Sequence, residues 1–112
     1  MSDVQQRITD LVKTSNVLLF MKGTAAFPQC GFSGRAIQVL KACGVETQDI
    51  TTVNVLEDEA IRQGIKEFSN WPTVPQLYIK GEFIGGCDIV REMAANGELQ
   101  TLLQEKGVLA SA

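Results

Sequence analysis

Val17-Leu18-Leu19-Phe20-Met21-Lys22-Gly23 is an unbroken apolar run closed by a cation and a glycine. A run that short, without polar alternation, is expected of a strand buried on both faces. Gly23 to Gln29, with Pro28 inside it, reads as a loop, and from Gly31 to Cys43 the pattern turns helical. Ala36, Ile37 and Leu40 share a face there, and Gly44 ends the helix. Strand, loop, cysteine and helix thus follow in order, with Cys30 at the helix N-terminus.

Working outward, Ser2 caps a first helix with Gln5 in capping-box position, and Val4, Ile8, Leu11 and Val12 form its apolar stripe. Thr51 to Val55 reads as a second strand. Glu57 to Phe68 reads as a helix with Ile61, Ile65 and Phe68 on one side. Trp71-Pro72-Thr73-Val74-Pro75 cannot be helical. Gln76 to Lys80 and Phe83 to Ile84 pair around a turn at Gly81-Glu82. Asp88 to Ala95 and Glu98 to Lys106 close the chain as helices, and the small apolar tail beyond is expected to fray. Strands linked through helices imply a parallel βαβ unit, and the short-turn pair is antiparallel. The expected class is α/β, a mixed four-stranded sheet flanked by helices. Val45 to Thr52, polar and long, is expected to enlarge the loop before the second strand.

The chain has 112 residues, which fits one domain across 1–112. Hydrophobic residues are 45% of it, enough for a packed core. The net charge is −3 with no basic block, which argues against nucleic-acid binding. No apolar run approaches membrane-spanning length, and the N-terminus lacks the order of a signal peptide. A cytoplasmic protein is the simplest reading; a mature organellar protein with its presequence trimmed would look the same.

Three cysteines, Cys30, Cys43 and Cys87, are too few for a disulfide scaffold, and none are paired as C-x-x-C. There is no histidine, which removes His triads, His metal sites and His general bases. Cys30 is the candidate nucleophile. Unpaired N–H groups and the positive end of the helix dipole favour its thiolate, and Lys22 adds a cation. A buried structural cysteine is the bland alternative, disfavoured by this placement. Cys43 lies about a dozen residues along the same helix, far from Cys30 at about 1.5 Å per residue, and reads as structural.

Cys30-Gly31-Phe32-Ser33 resembles the CGFS signature of monothiol glutaredoxins. Met21-Lys22-Gly23, Trp71-Pro72-Thr73-Val74-Pro75-Gln76 and Gly85-Gly86-Cys87-Asp88 accompany it in that family's order. The resemblance covers nearly the whole chain. It implies a thioredoxin-like fold, a glutathione site and a [2Fe–2S] cluster shared between two chains. Lys22 and Arg62 are similar to the family's basic residues for the glycine carboxylate of glutathione, although Arg62 also reads as a solvated helix residue. In this fold Pro75 is cis, so that the Val74 backbone faces the pocket and pairs with the glutathione cysteine, with Thr73 on the same rim. Asp88 takes the γ-glutamyl ammonium, or serves only as a helix cap. The N–H groups of Cys87 and Asp88 take the γ-glutamyl carboxylate. Gly85 and Gly86 end a strand or admit the ligand close to the backbone. Phe32 is expected at the pocket, Trp71 there or in the core. Cys87 is either a resolving thiol or, as favoured here, a residue whose backbone matters.

Ser33 stands where a dithiol enzyme carries its second cysteine, so a mixed disulfide with glutathione would persist until another thiol attacks. A [2Fe–2S] cluster wants about four ligands, and one cysteine is not enough. Two Cys30 sulfurs and two glutathione thiolates complete the set in a cluster-bridged homodimer. BolA-type proteins would supply mixed Cys/His ligation, and apo iron–sulfur acceptor proteins would take the cluster. The competing function is a glutathione-dependent thiol–disulfide oxidoreductase; a cluster-bridged regulatory module would use the same residues.

Overall fold

The computed structural model describes residues 2–109. The elements are α1 (Asp3–Thr14), β1 (Val17–Met21), α2 (Gly31–Ala42), β2 (Ile50–Asn54), α3 (Glu59–Ser69), β3 (Gln76–Ile79), β4 (Glu82–Gly85), α4 (Cys87–Ala95) and α5 (Glu98–Glu105). The strands lie in the order β2-β1-β3-β4; β1 and β2 are parallel, and the β1/β3 and β3/β4 pairs are antiparallel.

β1 is buried along its whole length, and its alternation divides the core in two. Val17, Leu19 and Met21 join Leu77 and Ile79 of β3 under Ala36, Ile37 and Leu40 of α2, Val90 of α4 and Leu99 and Leu103 of α5. Leu18, Phe20 and Tyr78 face the other way, against Ile8 and Val12 of α1 and Ile61 and Ile65 of α3. Phe20 meets Tyr78 edge to face at 5.9 Å. Both faces of the sheet are therefore covered, and the C-terminal end of β1 is left to carry the loop that precedes Cys30.

Several boundaries differ from the sequence reading, each for a local reason. The Asp58 side chain accepts the Ile61 N–H at 3.1 Å, which makes Asp58 the cap and starts α3 at Glu59. Phe68 of that helix is 37% exposed, resting against the Tyr78 ring at 6.1 Å and not joining the core stripe. The β3–β4 turn is Lys80-Gly81, both at positive φ (50° and 86°). That is the two-residue geometry that matches strand twist, and it lets β4 begin at Glu82. The enlarged loop before β2 is mostly structured: Val45 is buried, Thr47–Asp49 makes one 3-10 turn, and β2 begins at Ile50. Ser2 caps α1 as expected, accepting the Gln5 N–H at 3.1 Å. Among the described residues no Ser2 N–H bond to the Gln5 side chain completes the capping box; the Gln5 side chain is turned to α3, its Nε2 donating to the Gly64 carbonyl at 3.0 Å. The tail after Lys106 does not fray where it is described: the Val108 and Leu109 N–H groups donate to the Leu103 carbonyl at 2.9 and 3.2 Å and both side chains pack against the core, while 110–112 lie outside the described residues.

Candidate functional site

Four segments frame the site, and α3 adds Arg62 and Lys66 to it. The loop after β1 folds back on itself. Gln29 N–H donates to the Lys22 carbonyl at 2.9 Å, Thr24 N–H to the Phe27 carbonyl at 3.2 Å, and Gly23 and Pro28 form a β-bridge. Gly23 sits at φ +90°, where a Cβ would fall 2.5 Å from the Gln29 nitrogen, so the turn requires glycine. The Asn54 side chain anchors it by accepting the Gly23 N–H at 2.9 Å.

Cys30 emerges from this loop as the N-cap of α2. The Ser33 N–H is the main group holding its thiol below the ordinary value; burial opposes this, and the Phe32 N–H, the Lys22 ammonium and the Ser33 hydroxyl add to the lowering. Ser33 is fully buried, and its Oγ also accepts the Lys22 N–H at 3.1 Å. It thus ties the end of β1 to the first turn of α2 while facing the thiol. The other two cysteines shift the opposite way: burial pushes the thiols of both Cys43 and Cys87 up. Cys43 sits at the far end of α2 as its C-cap.

The Val74–Pro75 peptide bond is cis. The loop around it is fastened by Gln76, which is fully buried at the start of β3. Gln76 Nε2 donates to the carbonyls of Trp71 (3.1 Å) and Thr73 (3.2 Å), and Tyr78 Oη donates to its Oε1 at 3.4 Å. The Val74 N–H and carbonyl take no part in the loop and turn hydrogen bonds of the described residues.

The fourth segment is the start of α4. Gly86, not Asp88, is the N-cap, and no side chain caps this end. The first-turn N–H groups of α4 therefore face outward without an internal acceptor. Asp88 is 83% exposed and pairs loosely with Arg91 at 3.7 Å, leaving its carboxylate available at the rim.

A single cleft of about 440 Å³ gathers these parts. Cys30, Lys22, Arg62, Thr73, Val74, Gly86, Cys87 and Asp88, the residues singled out in the sequence, all line it, together with Phe32, Lys66, Trp71, Pro72, Pro75 and Ile89. The floor is close: a Cβ at Gly86 would lie 3.2 Å from Trp71 Nε1 and 3.4 Å from the Pro75 carbonyl. Trp71 Nε1 is buried and has no hydrogen-bond partner among the described residues. The lining combines basic groups (Lys22, Arg62, Lys66), an uncapped helix N-terminus with the Asp88 carboxylate, and an activated thiol. Such a set can take a molecule that carries carboxylates, an ammonium and a thiol. Among the described residues no cluster of three or more His, Cys, Asp or Glu side chains is placed to hold a metal, and no helix is long and apolar enough to cross a membrane.

The glutaredoxin family model matches residues 17–84. Monothiol glutaredoxin-5, mitochondrial, of Saccharomyces cerevisiae is 50% identical over 108 residues, 96% of this chain and 72% of that protein. The chain belongs to the monothiol glutaredoxins. A further member, Monothiol glutaredoxin-S14, chloroplastic, of Arabidopsis thaliana, is 55% identical over 97 residues, covering 87% of this chain and 54% of its relative. Among solved structures, reduced apo GrxS14 of poplar superposes with a TM-score of 0.80 at 47% identity, over 95% of this glutaredoxin and 94% of the other. A buckwheat glutaredoxin–glutathione complex superposes at 0.82 with 27% identity, over 96% and 93%. The α/β, thioredoxin-like glutaredoxin fold is the one expected from the sequence.

Lys66 of this glutaredoxin's site has no place in the sequence motifs, and Gln76 and Ser33 are visible there without the contacts they make. Lys66 lies one turn beyond Arg62 on α3, a spacing of four that places both on one face; that spacing was the available signal. Gln76 was legible only as part of the Trp71–Gln76 motif, because a polar residue opening a strand carries no sign of burial. Ser33 was read for the cysteine it replaces, and its own hydrogen bonds have no sequence signature.

Proposed function

We propose that this one-domain monothiol glutaredoxin binds glutathione in the 440 Å³ cleft and, through Cys30 and the glutathione thiol, carries a [2Fe–2S] cluster between two chains for delivery to apo iron–sulfur proteins or to a BolA-type partner. The observation that carries the reading is the neighbourhood of Cys30: an activated thiol at an open cleft, with a buried serine hydroxyl three residues on where a resolving thiol would be.

In this reading Lys22, Arg62 and Lys66 take the glycine carboxylate of glutathione. The free Val74 backbone pairs with its cysteine as an added strand would, with Thr73 beside it. The uncapped N–H groups of Cys87 and Asp88 hold the γ-glutamyl carboxylate, and the Asp88 carboxylate accepts the ammonium. Gly86 leaves room for the backbone to be approached. The glutathione sulfur then stands beside Cys30 Sγ. A chain with one half-buried, activated thiol at the cleft supplies a single protein ligand, so a cluster takes its remaining thiolates from a second chain and from two glutathiones. Thiolates held by an external tripeptide exchange readily, which suits transfer rather than storage. The same Cys30 thiolate supports slow exchange with glutathione mixed disulfides, the second reading favoured by its lowered pKa.

Anaerobic reconstitution with iron and sulfide, with and without glutathione, tests the proposal. A coloured dimer that forms only when glutathione is present supports it. A colourless monomer in both cases, with measurable removal of glutathione from a protein mixed disulfide, replaces it with the oxidoreductase reading.

A further inference from the structure

A second cleft, of about 370 Å³, opens on Cys30 between the N-terminal turns of α2 and α4. Cys30, Phe32, Cys87 and Asp88 belong to both clefts, and the second is extended by Arg35 of α2 and Arg91 of α4. Phe32 is 63% exposed on its edge. The first turn of α2 carries no acidic residue, and none of the ion pairs among the described residues involves Arg35. The one ion pair of Arg91 is the 3.7 Å contact with Asp88, and Asp88 is the only carboxylate in the cleft.

When glutathione is bound as described above, its ammonium competes with Arg91 for the Asp88 carboxylate, while its γ-glutamyl carboxylate lies on the Cys87 and Asp88 N–H groups of the same helix. With or without glutathione, the second cleft presents the Arg35 guanidinium with no ion pair among the described residues, Arg91 across from it, and an exposed aromatic ring at the edge. Glutathione occupies the first cleft, so the second is left for whatever else approaches Cys30.

We propose that the Arg35–Arg91 cleft selects the polypeptide brought to Cys30, by taking an Asp or Glu side chain close in sequence to that polypeptide's own cysteine while an apolar neighbour rests on Phe32. This rests on the glutathione reading of the first cleft. Guanidinium forks match carboxylates in geometry as well as charge, and two of them flanking one carboxylate discriminate against a lysine at the same position by repulsion as well as lost attraction.

The test uses single-turnover exchange, which requires no cluster. The Cys30 thiolate attacks the glutathione sulfur of a peptide–glutathione mixed disulfide. The sulfur–sulfur bond to the peptide breaks as the Cys30–glutathione bond forms, and the peptide leaves as a thiolate that takes a proton from water, with no net oxidation. Two mixed disulfides are compared that differ only in Asp or Lys two residues from the peptide cysteine, with the mixed disulfide of glutathione and 2-mercaptoethanol as a donor whose leaving group has no charged substituent. Cys30 glutathionylation is followed by mass spectrometry.

At low ionic strength the Asp peptide is expected to react about tenfold faster than the Lys peptide, the ratio shrinking as salt is raised. Arg35→Gln lowers the ratio and Arg35→Glu inverts it, while both keep the rate with the mercaptoethanol mixed disulfide within about twofold. Equal rates for the two peptides, with the mercaptoethanol mixed disulfide reacting normally, overturn the selection proposal and leave the glutathione site standing. Failure of the mercaptoethanol mixed disulfide and both peptides to modify Cys30 overturns both.

Discussion

Gly64 of α3 faces α1 so closely that replacing it by alanine sets two effects of opposite sign against each other. Alanine is the better helix former by about 1 kcal/mol in a helix interior. The added Cβ, however, would lie 2.6 Å from Val4 Cγ1 and 2.9 Å from Ile8 Cδ1, against the roughly 3.5–4.0 Å at which carbon atoms pack. Val4 is β-branched and stiff at χ1, and Ile8 is fully buried, so α1 must withdraw by about 1 Å. Overpacking of that kind costs about 1–3 kcal/mol. Withdrawal also stretches the Gln5 Nε2 bond to the Gly64 carbonyl, which contributes about 1 kcal/mol. The clash outweighs the propensity gain, and Gly64→Ala is expected to lose about 1–3 kcal/mol. Urea unfolding reads this directly, and a scan should show Tm falling by roughly 4–8 °C for each kcal/mol lost. The double variant with Val4→Ala should recover part of the loss through a coupling that single-site effects do not produce. A Gly64→Ala protein as stable as the parent, or more so, would refute the reasoning and show that α1 yields without cost.

Other outcomes follow from the same geometry. Asp88→Asn keeps the shape of the rim but removes its charge; because the carboxylate is exposed, glutathione affinity, measured by calorimetry, should fall by about 0.2–1 kcal/mol, with unfolding unchanged. Iodoacetamide at neutral pH should modify Cys30 first: its thiol is held low by the Ser33 N–H, whereas burial raises Cys43 and Cys87. Peptide mapping with Cys43 or Cys87 labelled as fast would contradict this. Asp58 is held below the ordinary carboxylate value by the Ile61 N–H and by Arg7, which bonds it at 2.9 Å. Its contribution is thus complete above the unfolded-chain Asp pKa and is lost as pH falls through the lower native value. Asp58→Asn, which keeps the cap, should flatten that acid-side loss in denaturation measured against pH.

What the sequence made legible has a physical pattern. β1 could be read because a strand buried on both faces must be apolar throughout, and all of Val17 to Met21 is. The place of Cys30 could be read because a strand, a proline-bearing loop and a helical period leave it only the helix N-terminus. The residues of Lys22, Arg62, Val74 and Asp88 are far apart in the chain, and composition alone does not join them; the motif resemblance did, and they line one cleft. Choices between local and tertiary partners could not be read. Gln5 has the right spacing for a capping box, yet its amide is used on Gly64. Asp88 has the right identity for a cap, yet Gly86 takes that position. Gln76 looks like a strand-edge residue, yet it is the buried clamp of the Trp71–Thr73 loop.

The central claim is that Cys30 and glutathione together form a shared ligand set. Native mass spectrometry of the anaerobically reconstituted protein, beside Cys30→Ser, tests it most directly. The expected result for the parent is one mass corresponding to two chains, one [2Fe–2S] and two glutathiones, and for the variant only the bare monomer. A cluster retained by Cys30→Ser, or a parent dimer whose cluster carries no glutathione, would contradict it.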